Sequence, residues 1–222
     1  MTDYSEFTMR NQHYTNYATL CVLGQHCQAN QILARFEHAL DVKQKTIIHS
    51  PTKKLLSVML GMLMGNTSIY ELNTTLRADP AVWYSFGLQT CADQSGLQRT
   101  LEACSAENVA QLSAFNAWFF QNYGQASEHD FTKEPLVLDL DLSGLPCSKH
   151  SQAATKGYFA KARGGTTGRQ LARVSATDYD EIVFQQVFSG NTSSRRVTLR
   201  YSKKGSLNIR HQNTKGGHQE QR

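Results

Sequence analysis

The hydrophobic residues of the first 134 positions recur at spacings of three and four, which is the period of an amphipathic helix. Three stretches carry this pattern, and we expect helices over residues 28–40, 52–64 and 107–123. The stripes that would face the core are Ile32, Leu33, Phe36 and Leu40; Leu55, Leu56, Met59, Leu60 and Leu63; and Val109, Leu112, Phe115 and Phe119. The pattern therefore predicts a helical region at the start of the chain.

Two further helices are predicted from their boundary residues. A short helix over residues 68–77 should end near Asp79 and Pro80, because a proline disfavours helical geometry at the residue before it. Asp93 has the side chain of a good N-cap, and it precedes a helical pattern whose buried edge would be Leu97, Leu101 and Cys104.

The hydrophobic period changes to two in LVLDLDLSGLP (residues 136–146), so alternate residues should share a strand face. Leu136, Leu138, Leu140 and Leu142 would point to the core, and Val137, Asp139, Asp141 and Ser143 would point away from it. A Gly-rich basic segment follows this strand. Two strand-like runs come after it, RQLARVSA (169–176) and EIVFQQVFSG (181–190), and the turn-like TDYD joins them. This order predicts the start of a mixed or antiparallel sheet.

The two periods together predict an α+β protein with three regions. Residues 1–134 would form a helical N-terminal domain with a potential for DNA binding, and residues 135–190 would supply three strands. Residues 191–222 have almost no hydrophobic periodicity and many basic side chains, so we expect a disordered basic tail.

Composition narrows the class of protein. The chain has 222 residues, 40% of them hydrophobic, which is enough for a core. Its longest nearly apolar run, residues 55–64, is too short to cross a bilayer, and the first residues are too polar for a signal peptide, so we expect a cytoplasmic protein without a membrane partner. Five cysteines without a C-x-x-C pair indicate neither a disulfide framework nor a zinc site.

The net charge of +5 is distributed very unevenly. Residues 1–141 hold 9 basic and 14 acidic side chains, whereas the other 81 residues hold 14 basic and 4 acidic ones. No acid occurs in residues 142–177, a stretch whose bases are Lys149, Lys156, Lys161, Arg163, Arg169 and Arg173. This distribution is typical of contact with a polyanion such as a nucleic acid, although a solvated basic loop would show the same charges.

The two acids of the first strand need a cationic partner if they are shielded from water, because burying an unpaired carboxylate is costly. A divalent metal would suit two oxygen ligands on one face, and a pair of metals is a common device for phosphoryl transfer. Asp139 or Asp141 would alternatively be solvated at the strand end or paired with a base such as Lys156. A D-x-D motif also occurs in glycosyltransferases that bind a metal–nucleotide sugar, and some sugar hydrolases place acids alternately on a strand.

Four segments taken together resemble a known family: DLDLSGLP, KGYF, TTGRQLARVSATDYDE and FSGNTS. They look like the N-terminal half of a DDE-type insertion-sequence transposase, whose catalytic domain has the ribonuclease H-like fold. The resemblance is closest over residues 136–193 and extends loosely upstream to LRADPAVWYSFGL and DQSGLQRTLEA. It implies an enzyme of the bacterial nucleoid that cuts DNA at insertion-sequence ends and joins them to a target, using Mg²⁺ or Mn²⁺.

The resemblance also implies site residues. Asp141, followed closely by Ser143, matches the first catalytic aspartate of the family and would be a metal ligand, with Asp139 as the second choice. Lys156 and Tyr158 match the KGY element, which would pack near DNA. The other DNA-binding candidates are Lys161, Arg163, Arg169 and Arg173.

The sequence departs from the family after residue 191. The second aspartate and the glutamate that would complete the metal site are missing, so we expect a truncated or frameshifted copy that is inactive alone. Two hypotheses follow: a transposase fragment, or a non-catalytic DNA-binding relic or inhibitor of an intact transposase. A second copy of the chain or an intact transposase would then be a further partner, and the helix that begins at Asp93 would be either a recognition helix or a buried bundle helix.

Overall fold

The computed structural model of the chain describes residues 14–45, 48–157, 159, 165–195 and 197. Over these residues the protein is α+β, as predicted, with six α-helices and a four-stranded antiparallel sheet. The chain divides into two compact units, Met1–Phe115 and Asn116–Arg222. Most of the predicted tail lies outside the described residues.

Six α-helices precede the sheet, and the last of them crosses the division between the units. They are α1 (Ala18–Ala29), α2 (Ile32–Ala39), α3 (Pro51–Leu63), α4 (Pro80–Ser85), α5 (Gln94–Ala103) and α6 (Ala106–Tyr123). The predicted helix over residues 28–40 is shorter than expected and corresponds to α2, while α1 was not predicted. Among the described residues, no helix combines the length and apolar character that a membrane span requires.

Helix caps explain several of these boundaries. The N-cap predicted for α5 is confirmed, because Asp93 Oδ1 accepts a hydrogen bond of 2.7 Å from the backbone N–H of Gly96. A helix was predicted to end near Asp79 and Pro80, but a helix begins there. Asp79 Oδ1 accepts a hydrogen bond from the N–H of Val82 and caps the start of α4. Proline is well suited to the first helical turn because its missing N–H is not needed there.

The core of the first unit contains Leu56, Leu60, Leu76, Val82 and Leu97, each at most 1% exposed. The stripes predicted on α3 and α5 are only partly buried. Their outward members are Met59, Leu63 and Leu101, with exposures of 39%, 56% and 40%.

The prediction of the buried face of α6 was largely wrong. Val109 is 62% exposed, and Leu112 and Phe119 are about 40% exposed. The start of the helix is oriented instead by buried Asn108, whose amide donates to the backbone oxygen of Asp41 at 2.9 Å. A buried amide requires such partners, so these hydrogen bonds favour a rotation of the helix that turns Asn108 inward.

The sheet of the second unit is built around one central strand. Its members are β1 (Leu138–Pro146), β2 (Thr155–Lys156), β3 (Thr167–Ala176) and β4 (Glu181–Ser189). Strand β3 pairs antiparallel with β1 on one side and with β4 and the short β2 on the other. Within the described part of the chain, β1 pairs with β3 alone and is therefore an edge strand. The three predicted strands are confirmed, and β2 is an addition to them.

The two faces of this sheet differ in burial. On the inner face, a hydrophobic cluster forms from Ala172, Val174 and Val197, with Leu140, Leu142, Phe184 and Phe188 packed against it. The leucine face predicted for β1 is thus the core face, although Leu138 remains 38% exposed. The opposite face, which we call the outer face, carries Asp139, Asp141 and Ser143 of β1.

A second cluster joins the sheet to the segment that precedes it. Phe120 and Ala126 pack with Ala176 and Val183. The carboxylate of Glu181 accepts hydrogen bonds from the backbone N–H groups of Gln125 and Ala126 at 2.8 and 3.0 Å, where a short 3₁₀ turn begins. These contacts fix the chain direction ahead of β1.

Candidate functional site

The outer face brings together five of the candidate site residues. Antiparallel partners share a sheet face, and Asp141 lies directly opposite Arg173 in the register of β1 and β3. By the same register Asp139 and Arg169 lie on this face, as does Lys156 of β2, which is paired with Thr167. The other three candidates, Tyr158, Lys161 and Arg163, lie outside the described residues.

Asp141 is held by two neighbours on the outer face. The hydroxyl of Ser143 donates to Asp141 Oδ2 at 2.6 Å, and Arg173 Nη2 lies 3.6 Å from the same oxygen. The hydrogen bond from Ser143 lowers the pKa of Asp141 below its ordinary value, with smaller contributions from the Leu142 N–H and the Arg173 charge. The site therefore favours an ionised carboxylate.

We expected a basic side chain beside the acids. Asp141 has such a partner, the guanidinium of Arg173. Both side chains remain accessible, at 55% exposure for Asp141 and 41% for Arg173. Asp139 is exposed on the same face opposite Ser175, and it forms no ion pair with another described residue. The two acids thus differ: Asp141 has an arginine partner and Asp139 is open to solvent.

These acids alone do not make a complete metal site. Among the described residues, no group of three or more His, Cys, Asp or Glu side chains is placed to hold a metal ion. Magnesium prefers six oxygen ligands in octahedral geometry, and Arg173 occupies one side of Asp141 with a positive charge. A metal on this face would have to displace the guanidinium and take further oxygen ligands from water or a ligand.

The basic residues of the outer face stand in different surroundings. Arg169 Nε donates to the backbone oxygen of Gln152 at 2.7 Å, so the loop after β1 holds its guanidinium. Lys156 is exposed on β2, a strand of two residues. Both positions place positive charge on the face that carries the acids.

Apolar side chains lie beside these charges on the outer face. Leu145, Val187 and Ile182 are 41%, 47% and 48% exposed. The outer face is therefore an open, mixed surface in the described part of the unit rather than a closed cavity.

One residue near the site was not singled out by sequence reasoning. Phe159 is 4% exposed and its ring lies against Gly144 and Gly168 on the inner face of the sheet. A glycine inside a strand often marks a close approach of another group, and the two strand glycines were the available signal.

The chain matches no known protein-family model, no curated protein and no solved structure.

Proposed function

We propose that the chain is a DNA-binding protein related to DDE-type insertion-sequence transposases, with a sheet that corresponds to the first strands of a ribonuclease H-like domain. The observation that carries the proposal is the outer face. Asp139 and Asp141 share it with Lys156, Arg169 and Arg173. Acids with bases on one open surface suit a substrate that is a polyanion and reacts at phosphorus.

The strand order is compatible with this relation. Strands β1, β3 and β4 follow one another as an antiparallel meander, and the acids lie on the first of them. Lys156, Arg169 and Arg173 would contact backbone phosphates, which position a duplex without reading its sequence.

The proposed cofactor is Mg²⁺ or Mn²⁺, with Asp141 and Asp139 as two of its ligands. When bound, such an ion would activate the attacking oxygen and stabilise the leaving one in strand cleavage and joining. Arg173 would release Asp141 and bind a DNA phosphate instead. Ser143 would keep Asp141 ionised and oriented through its 2.6 Å hydrogen bond.

A second candidate is a DNA-binding protein without catalysis, which would interfere with an intact transposase by occupying its DNA. The ion pair between Asp141 and Arg173 favours it, because a carboxylate neutralised by arginine is less available to a metal. In this case the acids serve to orient the arginine, and the bases alone carry the binding.

Salt-dependent DNA binding tests both candidates. Binding of a fluorescent duplex should weaken as salt rises, and Lys156→Ala or Arg169→Ala should each weaken binding and lower the slope of log K against log salt by about 1. Lys133→Ala is the matched control, because this lysine of the same unit pairs with Asp130 and lies in none of the four strands. A chain whose binding ignores salt, or is equally weakened by the control, would refute the proposal.

A nicking assay separates the two candidates. With supercoiled plasmid and Mg²⁺ or Mn²⁺, nicking that is lost in Asp141→Asn and kept in Asp178→Asn would support the metal-dependent enzyme. The control removes the same charge from the turn before β4. Retained DNA binding without nicking would support the non-catalytic protein.

A further inference from the structure

One end of the sheet is packed so closely that only glycine fits at two strand positions. A side-chain carbon added to Gly144 would lie 2.7 Å from Phe159 Cδ1, and one added to Gly168 would lie 2.6 Å from Phe159 Cζ. Carbon atoms in contact are normally separated by about 3.5–4.0 Å. The ring of Phe159 therefore lies directly on the backbones of β1 and β3, and it is 4% exposed.

The same end of the sheet holds β2 in place. This strand has two register pairs, Thr155 with Gly168 and Lys156 with Thr167. The backbone N–H of Asn191, just after β4, donates to Thr155 Oγ1 at 3.0 Å, and the N–H of Gly157 donates to the backbone oxygen of Thr166 at 3.3 Å. So short a strand has little pairing of its own and depends on such neighbours.

Lys156 and Phe159 act on opposite faces of this end of the sheet. Two residues lie between them in the sequence, and the three residue steps from one to the other span at most about 11 Å of extended chain. With the ring fixed on the inner face and Lys156 paired to Thr167, the lysine is directed to the outer face. Arg173 needs no such support, because both β1 and β4 pair with β3 at that position.

We infer that Phe159 is a positioning residue for the proposed DNA contact: its ring on Gly144 and Gly168 holds β2 so that Lys156 meets a phosphate on the outer face. This inference rests on the proposed function. It goes beyond that function because it says that Phe159, buried on the inner face, sets the position of Lys156 on the outer face.

A double-mutant cycle on the full chain tests the inference. Phe159→Ala should lower the salt slope of duplex binding by about 1, as Lys156→Ala does, because both remove the same phosphate contact. The double variant should then be no weaker than either single one. Arg173→Ala should lower the slope by the same amount in the Phe159→Ala background as in the unmodified chain.

Three measurements distinguish positioning from a general loss of structure. Phe159→Leu should restore the slope by refilling the space on the glycines. Val183→Ala removes buried side-chain volume from the cluster that also contains Phe120, Ala126 and Ala176. This change should leave the slope unchanged. Circular dichroism at the binding temperature should show each variant folded.

The outcomes separate the inference from the proposed function. If the effects of Phe159→Ala and Lys156→Ala add in full, or if Val183→Ala lowers the slope equally, the positioning role is wrong and DNA binding by the outer face stands. If the unmodified chain shows no salt-dependent binding, the proposed function is wrong and the positioning role falls with it.

Discussion

The carboxyl of Asp141 has a pKa below its ordinary value mainly because a hydroxyl two residues away donates to it. This local arrangement depends on strand geometry, since residues i and i+2 share a face. Arg173 adds the cross-strand charge, but its distance of 3.6 Å from Oδ2 makes it the weaker partner.

Replacing Ser143 by alanine should raise the pKa of Asp141 toward its ordinary value, because the largest cause of its lowering is the Ser143 hydrogen bond. A carboxyl NMR titration would measure the shift. Ser175→Ala, which alters the residue opposite Asp139, should leave the titration of Asp141 unchanged. A pKa that stays the same in Ser143→Ala would assign the lowering to Arg173 instead.

The lowered pKa also gives the sign of a pH effect on stability. The folded-state pKa of Asp141 lies below the unfolded-state value, so the ionised group stabilises the fold above the unfolded pKa. This contribution is lost as the pH falls through the folded pKa. Because the side chain is largely exposed, we expect a small effect.

The contact between Gly144 and Phe159 gives a residue-scale test of packing. Gly144→Ala should destabilise the protein by about 1–3 kcal/mol, the usual cost of overpacking a filled site. In a Phe159→Ala background the same change should cost clearly less, because the ring is the group that the new carbon would meet. Urea denaturation of the four variants measures the coupling. Equal costs in both backgrounds would contradict the contact.

At the scale of elements, the strands were predictable and the helix faces were only partly so. The alternation holds through the first half of β1, so its period assigns Asp139 and Asp141 to one face and Leu138, Leu140 and Leu142 to the other. The helical stripe of α6 is less decisive, since the buried side of that helix includes Asn108, a residue that a hydrophobic pattern ignores. Arg173 as the partner of Asp141 follows from the strand register, because the hydrophobic pattern decides which residues share a face but not which pair stands opposite.

The 3₁₀ turn before the sheet depends on one carboxylate from β4. Glu181→Ala should destabilise the second unit by about 1 kcal/mol or more, because it leaves the N–H groups of Gln125 and Ala126 without their acceptor. Hydrogen exchange at these two amides, together with thermal unfolding, would measure the loss. Glu128→Ala, an exposed acid of the same turn, is the control and should change little.

At the scale of the whole molecule, acidic and basic residues are concentrated in different parts of the sequence, and the chain folds into two compact units. The acidic excess lies before residue 142 and the basic excess after it. The sequence could predict this polarity from the positions of its charged residues, and the α+β class from its two hydrophobic periods. The sequence could not predict the burial of Phe159. Its ring contacts Gly144 of β1 and Gly168 of β3, and no periodic pattern indicates a contact between residues so far apart in the chain.

The edge position of β1 has a consequence for how copies of the chain behave in concentrated solution. An exposed strand edge offers unpaired backbone groups to another molecule, and charged side chains along the edge oppose such pairing. Asp139 and Asp141 are the second and fourth residues of this nine-residue strand. We therefore expect these two acids to oppose edge-to-edge pairing of β1 between copies of the chain.

The double substitution Asp139→Asn/Asp141→Asn should therefore increase aggregation, and light scattering against concentration and time would detect it. Asp178→Asn/Asp180→Asn removes the same charge from the turn before β4 and should leave scattering unchanged. If both pairs behave alike, net charge alone governs solubility. If only the strand pair aggregates, the acids that suggest catalysis are also the residues that keep this protein in solution.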